Sequence, residues 1–108
     1  MTLMAKTILI VDDDPHMVSF LKAVLADAGY SILVAHDGLE GLKMARDHSP
    51  HLIFMDFLMP EMSGKEVTEH LRDDEVLKVI PIIAMTAFPF KEEGEAFHDW
   101  GHSTRLFS

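Results

Sequence analysis

Asp12, Asp13 and Asp14 follow directly on the apolar run Ile8-Leu9-Ile10-Val11, Asp56 follows on His51-Leu52-Ile53-Phe54-Met55, and Thr86 follows on Pro81-Ile82-Ile83-Ala84-Met85. Carboxylates and a hydroxyl at the ends of three apolar runs are equipment for phosphoryl transfer, provided the fold brings those ends together. Carboxylates crowded into a partly desolvated cleft repel one another, so at least one pKa rises unless a cation intervenes. Magnesium suits such a place, because it is a hard ion that takes one or two carboxylates, waters and a phosphate oxygen. An aspartate can itself be the nucleophile and become an aspartyl phosphate. The metal would neutralise charge on the transferring group, and the Thr86 hydroxyl would orient it. Taken singly, Asp-Asp-Asp is an ordinary loop or helix cap, Asp56 a solvated loop acid, and Thr86 uninformative. The agreement of three run ends is what points to a site.

The elements that would position these residues are legible as periodicities. Thr7–Val11 is β-branched, apolar and ends abruptly at acids, which predicts a strand buried on both faces. Asp14-Pro15 is a helix start, an acid at the cap with proline in the first turn. Met17, Leu21, Val24, Leu25 and Ala28 then make one helical face, and Gly29 stops it. The unit recurs: strand Ser31–Ala35, a helix opened by Asp37 with Leu42 and Ala45 inward and closing near Pro50, then strand His51–Met55. Ser63-Gly64-Lys65-Glu66 fits a capping box, opening a helix that carries Val67 and Leu71. Pro81–Met85 is the fourth strand, and a helix over Lys91–Asp99 is expected after it.

Strands alternating with helices imply βαβ units and a doubly wound parallel sheet of the α/β class with helices on both faces. In the flavodoxin-like order 2-1-3-4-5 the first and third strands are neighbours at the switch point, where ligands bind beyond the strands' carboxyl ends. Asp12, Asp13 and Asp56 are then expected to converge in one crevice and to bind magnesium.

The chain of 108 residues is read as one domain, 1–108, with an ordinary 48% of hydrophobic and 25% of charged residues. No apolar run approaches the ~18 residues of a membrane span, and the start is too short for a signal peptide. There is no cysteine, hence no disulfide framework or thiolate chemistry. The net charge of −9, with no basic cluster, disfavours direct nucleic-acid binding, which rests on phosphate neutralisation. A cytoplasmic protein that contacts neither membrane nor nucleic acid is expected.

With these residues in view, the chain resembles the receiver domain of two-component response regulators over essentially its whole length. The resemblance is carried by Ile8-Leu9-Ile10-Val11-Asp12-Asp13, by Met55-Asp56 with Pro60 and Gly64 following at intervals of four, and by Met85-Thr86-Ala87. It implies Asp56 as phosphoacceptor, Asp13 as a direct Mg2+ ligand, Asp12 as a water-mediated one, the Leu58 backbone carbonyl as another, and Thr86 as switch hydroxyl. Asp14 remains the helix cap. The implied donor is a phosphohistidine on a sensor histidine kinase or histidine phosphotransfer protein, with the output passed to a downstream protein target. The module assists transfer to itself and is not a turnover enzyme. Leu58 and Phe88, two past Asp56 and Thr86, are apolar where the resemblance places groups flanking the attacking water, so slow self-dephosphorylation is expected.

The end of the chain departs from the family pattern. The family's lysine, seven past a glycine matching Gly101, falls on Ser108, and the aromatic switch position holds Arg105. The sequence stops where the final helix of the family would begin, so the fold is expected to be truncated there. One sheet face is expected to be left partly bare, so the chain is expected either to self-associate through that face and the exposed strand edge or to have a poorly ordered tail after about Phe90. The alternative reading is a degenerate receiver acting as a phosphorylation-independent protein-binding module. An aspartyl-phosphate phosphohydrolase is disfavoured because Leu58 stands where such enzymes carry a second acid. A flavin protein is disfavoured by the acidic crevice and the lack of a phosphate-cradling loop after the first strand. His98 and His102 are spaced to share a metal only if a helix runs through Gly101. Met55, Met59 and Met85 are read as core or pocket lining.

Overall fold

Among the described residues, each expected apolar run becomes a strand and each expected amphipathic stretch a helix. The computed structural model describes residues 5–57, 59 and 62–85, together with the backbone of 104–107. In chain order these form β1 (Thr7–Val11), α1 (Pro15–Asp27), β2 (Ser31–Ala35), α2 (Gly38–His48), β3 (Leu52–Asp56), α3 (Gly64–Arg72), a 3-10 turn (Leu77–Val79), β4 (Ile82–Met85) and β5 (Thr104–Phe107). All pairings are parallel, and the sheet order is β2-β1-β3-β4-β5, as the alternation predicts. The helix expected over 91–99 lies outside the described residues. Among the described residues no helix is long and apolar enough to cross a membrane.

β1 lies between β2 and β3, with Val11 beside Ala35 of β2 and Met55 of β3. Its alternate side chains divide between two layers. Leu9 and Val11 join Ile53, Met55, Ile82 and Ala84 beneath Leu42 and Ala45 of α2 and Val67 and Leu71 of α3. Ile8 and Ile10 face the other way, with Val18 and Leu21 of α1 and Met85. Full burial of each such aliphatic side chain contributes roughly 1.5–3 kcal/mol.

The helix ends follow their local chemistry. Asp14 Oδ1 accepts from His16 N at 2.9 Å, with Pro15 in the first turn. α1 closes in a Schellman turn: Gly29 takes a φ of +100°, Gly29 N donates to Ala26 O and Tyr30 N to Leu25 O. Asp37 Oδ1 accepts from Glu40 N at 2.8 Å to start α2. Ser63 and Glu66 form the expected capping box of α3. At the far end of α3, the Arg72 guanidinium donates to Lys78 O at 2.7 Å and to Ile80 O at 3.0 Å, tying that helix to the approach to β4.

One expected face is corrected. α1 buries Val18 and Leu21 and half-buries Leu25, whereas Met17 and Val24 are exposed. Apolar residues occupy so much of the α1 circumference that two adjacent stripes satisfy helical periodicity, and the sheet covers only one. Met55, Met59 and Met85 are buried, as expected.

Candidate active site

The acids sit where β1 and β3 run out. Asp12 N still donates to Ala35 O at 3.1 Å, so the ladder holds the backbone of Asp12 in line with β2. Its side chain points inward, leaving the residue 4% exposed, and Asp12 Oδ1 accepts from Asp14 N at 2.8 Å. Asp56 is the last residue of β3 and stands beside Met85 of β4. The next residue fixes the exit, because Phe57 N donates to Met85 O at 3.0 Å.

These anchors bring Asp12, Asp13 and Asp56 together, with one carboxylate oxygen of each within 4.8 Å of the others. Asp12 is buried, Asp56 half-buried and Asp13 exposed, so the cluster opens to solvent on one side. Burial pushes the Asp12 carboxyl up to about 6. The charge of Asp56, a hydrogen bond shared with it and the charge of Asp13 push the same way, against the Asp14 N–H, which favours the ionised form. The donor set is oxygen throughout, which suits a hard cation, and a bound cation would offset the burial and the like charges that raise Asp12.

Close backbone approaches seat the two strand ends. A Cβ on Gly64 would strike the carbonyl of Asp56 and the Met55 side chain, so α3 begins pressed against the back of the acid. A Cβ on Gly41 would come within 2.8 Å of a Val11 methyl, directly before Asp12. Thr68, wholly buried, donates its hydroxyl to Gly64 O at 2.8 Å.

The Response regulator receiver domain family matches residues 8–106, a span that takes in β2, β3 and β4 whole and all but one residue each of β1 and β5. The chain belongs to that family. It is similar to the polar-differentiation response regulator DivK of Brucella ovis, 42% identical over 98 residues, which are 91% of this chain and 80% of the relative. Among solved receivers, the chemotaxis protein CheY4 of Vibrio cholerae superposes with a TM-score of 0.88 at 29% identity, over 96% of this chain and 86% of that one. The response regulator TrrA of Thermotoga maritima, solved in complex with Mg2+-BeF, gives 0.79 at 32% identity over 95% and 87% of the two chains. As a receiver, the chain is a phosphoacceptor signalling module of two-component type. Receivers work with histidine kinases or phosphotransfer proteins in phosphorelays.

The receiver's sequence-expected acids are therefore brought together, and Asp14 is the helix cap and no part of the cluster. Leu58, Thr86, Phe88, His98, Gly101, His102 and Ser108 lie outside the described residues, as does the side chain of Arg105. Arg105 is placed by its backbone alone, beside Ile83 of β4. Sequence reasoning missed the supporting roles of Gly38, Gly41 and Thr68. A signal was present: two glycines within one turn of a helix cost about 1 kcal/mol each relative to alanine, which points to close approach by a neighbour.

Proposed function

We propose that Asp56 is the phosphoacceptor and that Asp12, Asp13 and Asp56 hold the magnesium ion that assists the transfer. The observation that supports this most is the convergence of three carboxylates from two strand ends within 4.8 Å. Magnesium, when bound, supplies positive charge beside the phosphoryl oxygens. Asp13 and Asp56 would ligate it directly, Asp12 through water, with the Leu58 carbonyl as a further ligand. Asp12 gives up its proton as the site fills, since the ionised form is then favoured.

An Asp56 carboxylate oxygen attacks the phosphorus of a phosphohistidine in line with the P–N bond. That bond breaks, the P–O bond forms, and the imidazole leaves with its electron pair and takes a proton from solvent. The Thr86 hydroxyl then donates to a phosphoryl oxygen, reporting the new charge to the surface. The donor is a sensor histidine kinase or histidine phosphotransfer protein, and the output is a protein contact, with no direct role for nucleic acid or membrane. No separate substrate is turned over. A cytoplasmic site of action fits the acidic, cysteine-free composition. Self-association through the α1 side of the sheet is a further part of the proposal.

Mass spectrometry after incubation with acetyl phosphate and magnesium tests the assignment. One phosphoryl adduct is expected on the native chain and none on Asp56→Asn. No adduct on the native chain would leave a protein-binding module that ignores phosphate. Slow self-dephosphorylation belongs to the same reading. Leu58→Asn is expected to shorten the lifetime of the adduct, and an unchanged lifetime would remove Leu58 from the argument.

A further inference from the structure

The entry to α3, Met62-Ser63-Gly64, is bounded by close glycine approaches at both of its ends. Gly64 lies so close to the Asp56 carbonyl that a Cβ there would overlap it. Two residues earlier, Gly38 lies under Met62: a Cβ on Gly38 would stand 2.5 Å from the Met62 carbonyl oxygen, 3.0 Å from Met62 Cβ and 2.9 Å from a Val67 methyl. Gly38 is the first residue of α2, far from the acids in sequence and outside their cluster. The obstacle above it is backbone, which cannot rotate aside as a side-chain tip can. At the other end of this entry, Gly64 already stands against the Asp56 carbonyl.

We infer that Gly38 is a positioning residue for Asp56, with the first turn of α2 acting as a rest for Met62 at the entry to α3. A displacement of Met62 passes through Ser63 to Gly64, which abuts the Asp56 carbonyl. The turn is held in place by its own cap, Asp37 Oδ1 accepting from Glu40 N at 2.8 Å and Glu40 Oε1 accepting from His36 N at 2.7 Å. The inference rests on the reading of Asp12, Asp13 and Asp56 as the metal and phosphoacceptor site.

Two variants act on the rest in opposite ways. Gly38→Ala crowds it, and Asp37→Ala loosens it without adding an atom. Titration with magnesium chloride, alone and with beryllofluoride, on full-length protein well below its melting temperature reads the effect. Gly38→Ala is expected to weaken magnesium binding by about 10-fold, as loss of an outer support does at other metal sites. Asp37→Ala is expected to weaken it less, and Asp37→Asn, which keeps the cap oxygen but drops the charge, to bind like the native chain. A merely structural role would lower the melting temperature and leave both affinities native. Native affinities in Gly38→Ala and Asp37→Ala would overturn the inference while leaving the site reading intact. Equal weakening in Asp37→Ala and Asp37→Asn would also overturn it, since charge alone would explain the loss. If Gly38→Ala does not fold, the two Asp37 variants decide by themselves. A native chain that binds neither probe would overturn the site reading, and the inference with it.

Discussion

The two faces of the sheet are built differently. Beneath α2 and α3, Leu9, Val11, Ile53, Met55, Ile82 and Ala84 are completely closed off from solvent. On the α1 side, Ile8 and Ile10 are buried, but Ile32, Val34, Leu52 and Phe54 are only half-buried, and Phe20 on α1 is 62% exposed. The acids stand on strand ends common to both faces, yet each glycine approach that seats them comes from the closed one. Close packing leaves little room for adjustment. The closely packed side is thus the one that presses on Asp56, while the α1 side contributes mainly the Asp14 cap beside Asp12.

The comparison breaks most readily in the core. Ile53→Ala is expected to cost about 4 kcal/mol and Leu25→Ala about 1–2 kcal/mol, since a half-buried side chain leaves little cavity. Equal losses in urea unfolding would mean that the faces are packed alike. Next comes Asp12, where the closed site penalises a charge. In the folded chain Asp12 keeps its proton up to about pH 6, against an ordinary value of 3.8. The folded state therefore binds more protons between these values, and stability falls as pH rises from about 4 to 6, with the lower level persisting above. Without metal, Asp12→Asn is expected to flatten that slope and to add on the order of 2 kcal/mol at pH 7. Magnesium should offset the same penalty in the native chain and do less for the variant. A native stability profile flat from pH 4 to 7 would show that the cluster is better solvated than its burial implies.

Smaller effects are expected from the α1 side. Asp14→Ala removes the cap and should cost about 1 kcal/mol, read as a lower urea midpoint. Phe20→Ser should leave stability within about 0.5 kcal/mol, because the ring is already in water. If the α1 side mediates self-association, the same change should shift sedimentation equilibrium toward monomer. A native chain that is monomeric at all concentrations would dispose of that proposal.

Much of this was legible before folding. β1 and β2 are read to the residue because β-branched apolar runs are bounded by charge or turn residues on both sides. Asp14-Pro15 and Ser63–Glu66 announce their helices by chemistry confined to one turn. β3 was harder to end: Asp56 reads as loop by its charge, but pairing with Met85 keeps it in the strand. The inward stripe of α1 was ambiguous because periodicity gives a direction only when the apolar arc is narrow. The seating of Asp56 was legible only as a hint, since Gly38 and Gly41 within one turn signal a close approach without saying by what. Gly38 and Met62 meet through the packing of α2 beside α3, and no local pattern encodes that distance.

The parallel pairing of β1 with β3 also sets when the site comes into being. As the chain leaves the ribosome, Asp12 and Asp13 emerge first, and Asp56 follows only after α1, β2 and α2. β1 then has to close a long loop to lie beside β3, paying its entropy before the contacts repay it. A nascent chain that has not reached β3 has no cleft to offer a phosphodonor. A cation that recognises only the assembled cleft favours the finished fold, by about 1.4 kcal/mol at tenfold excess over its Kd. Competence to receive a signal and completion of folding are therefore one event in this chain, and divalent-ion supply bears on both.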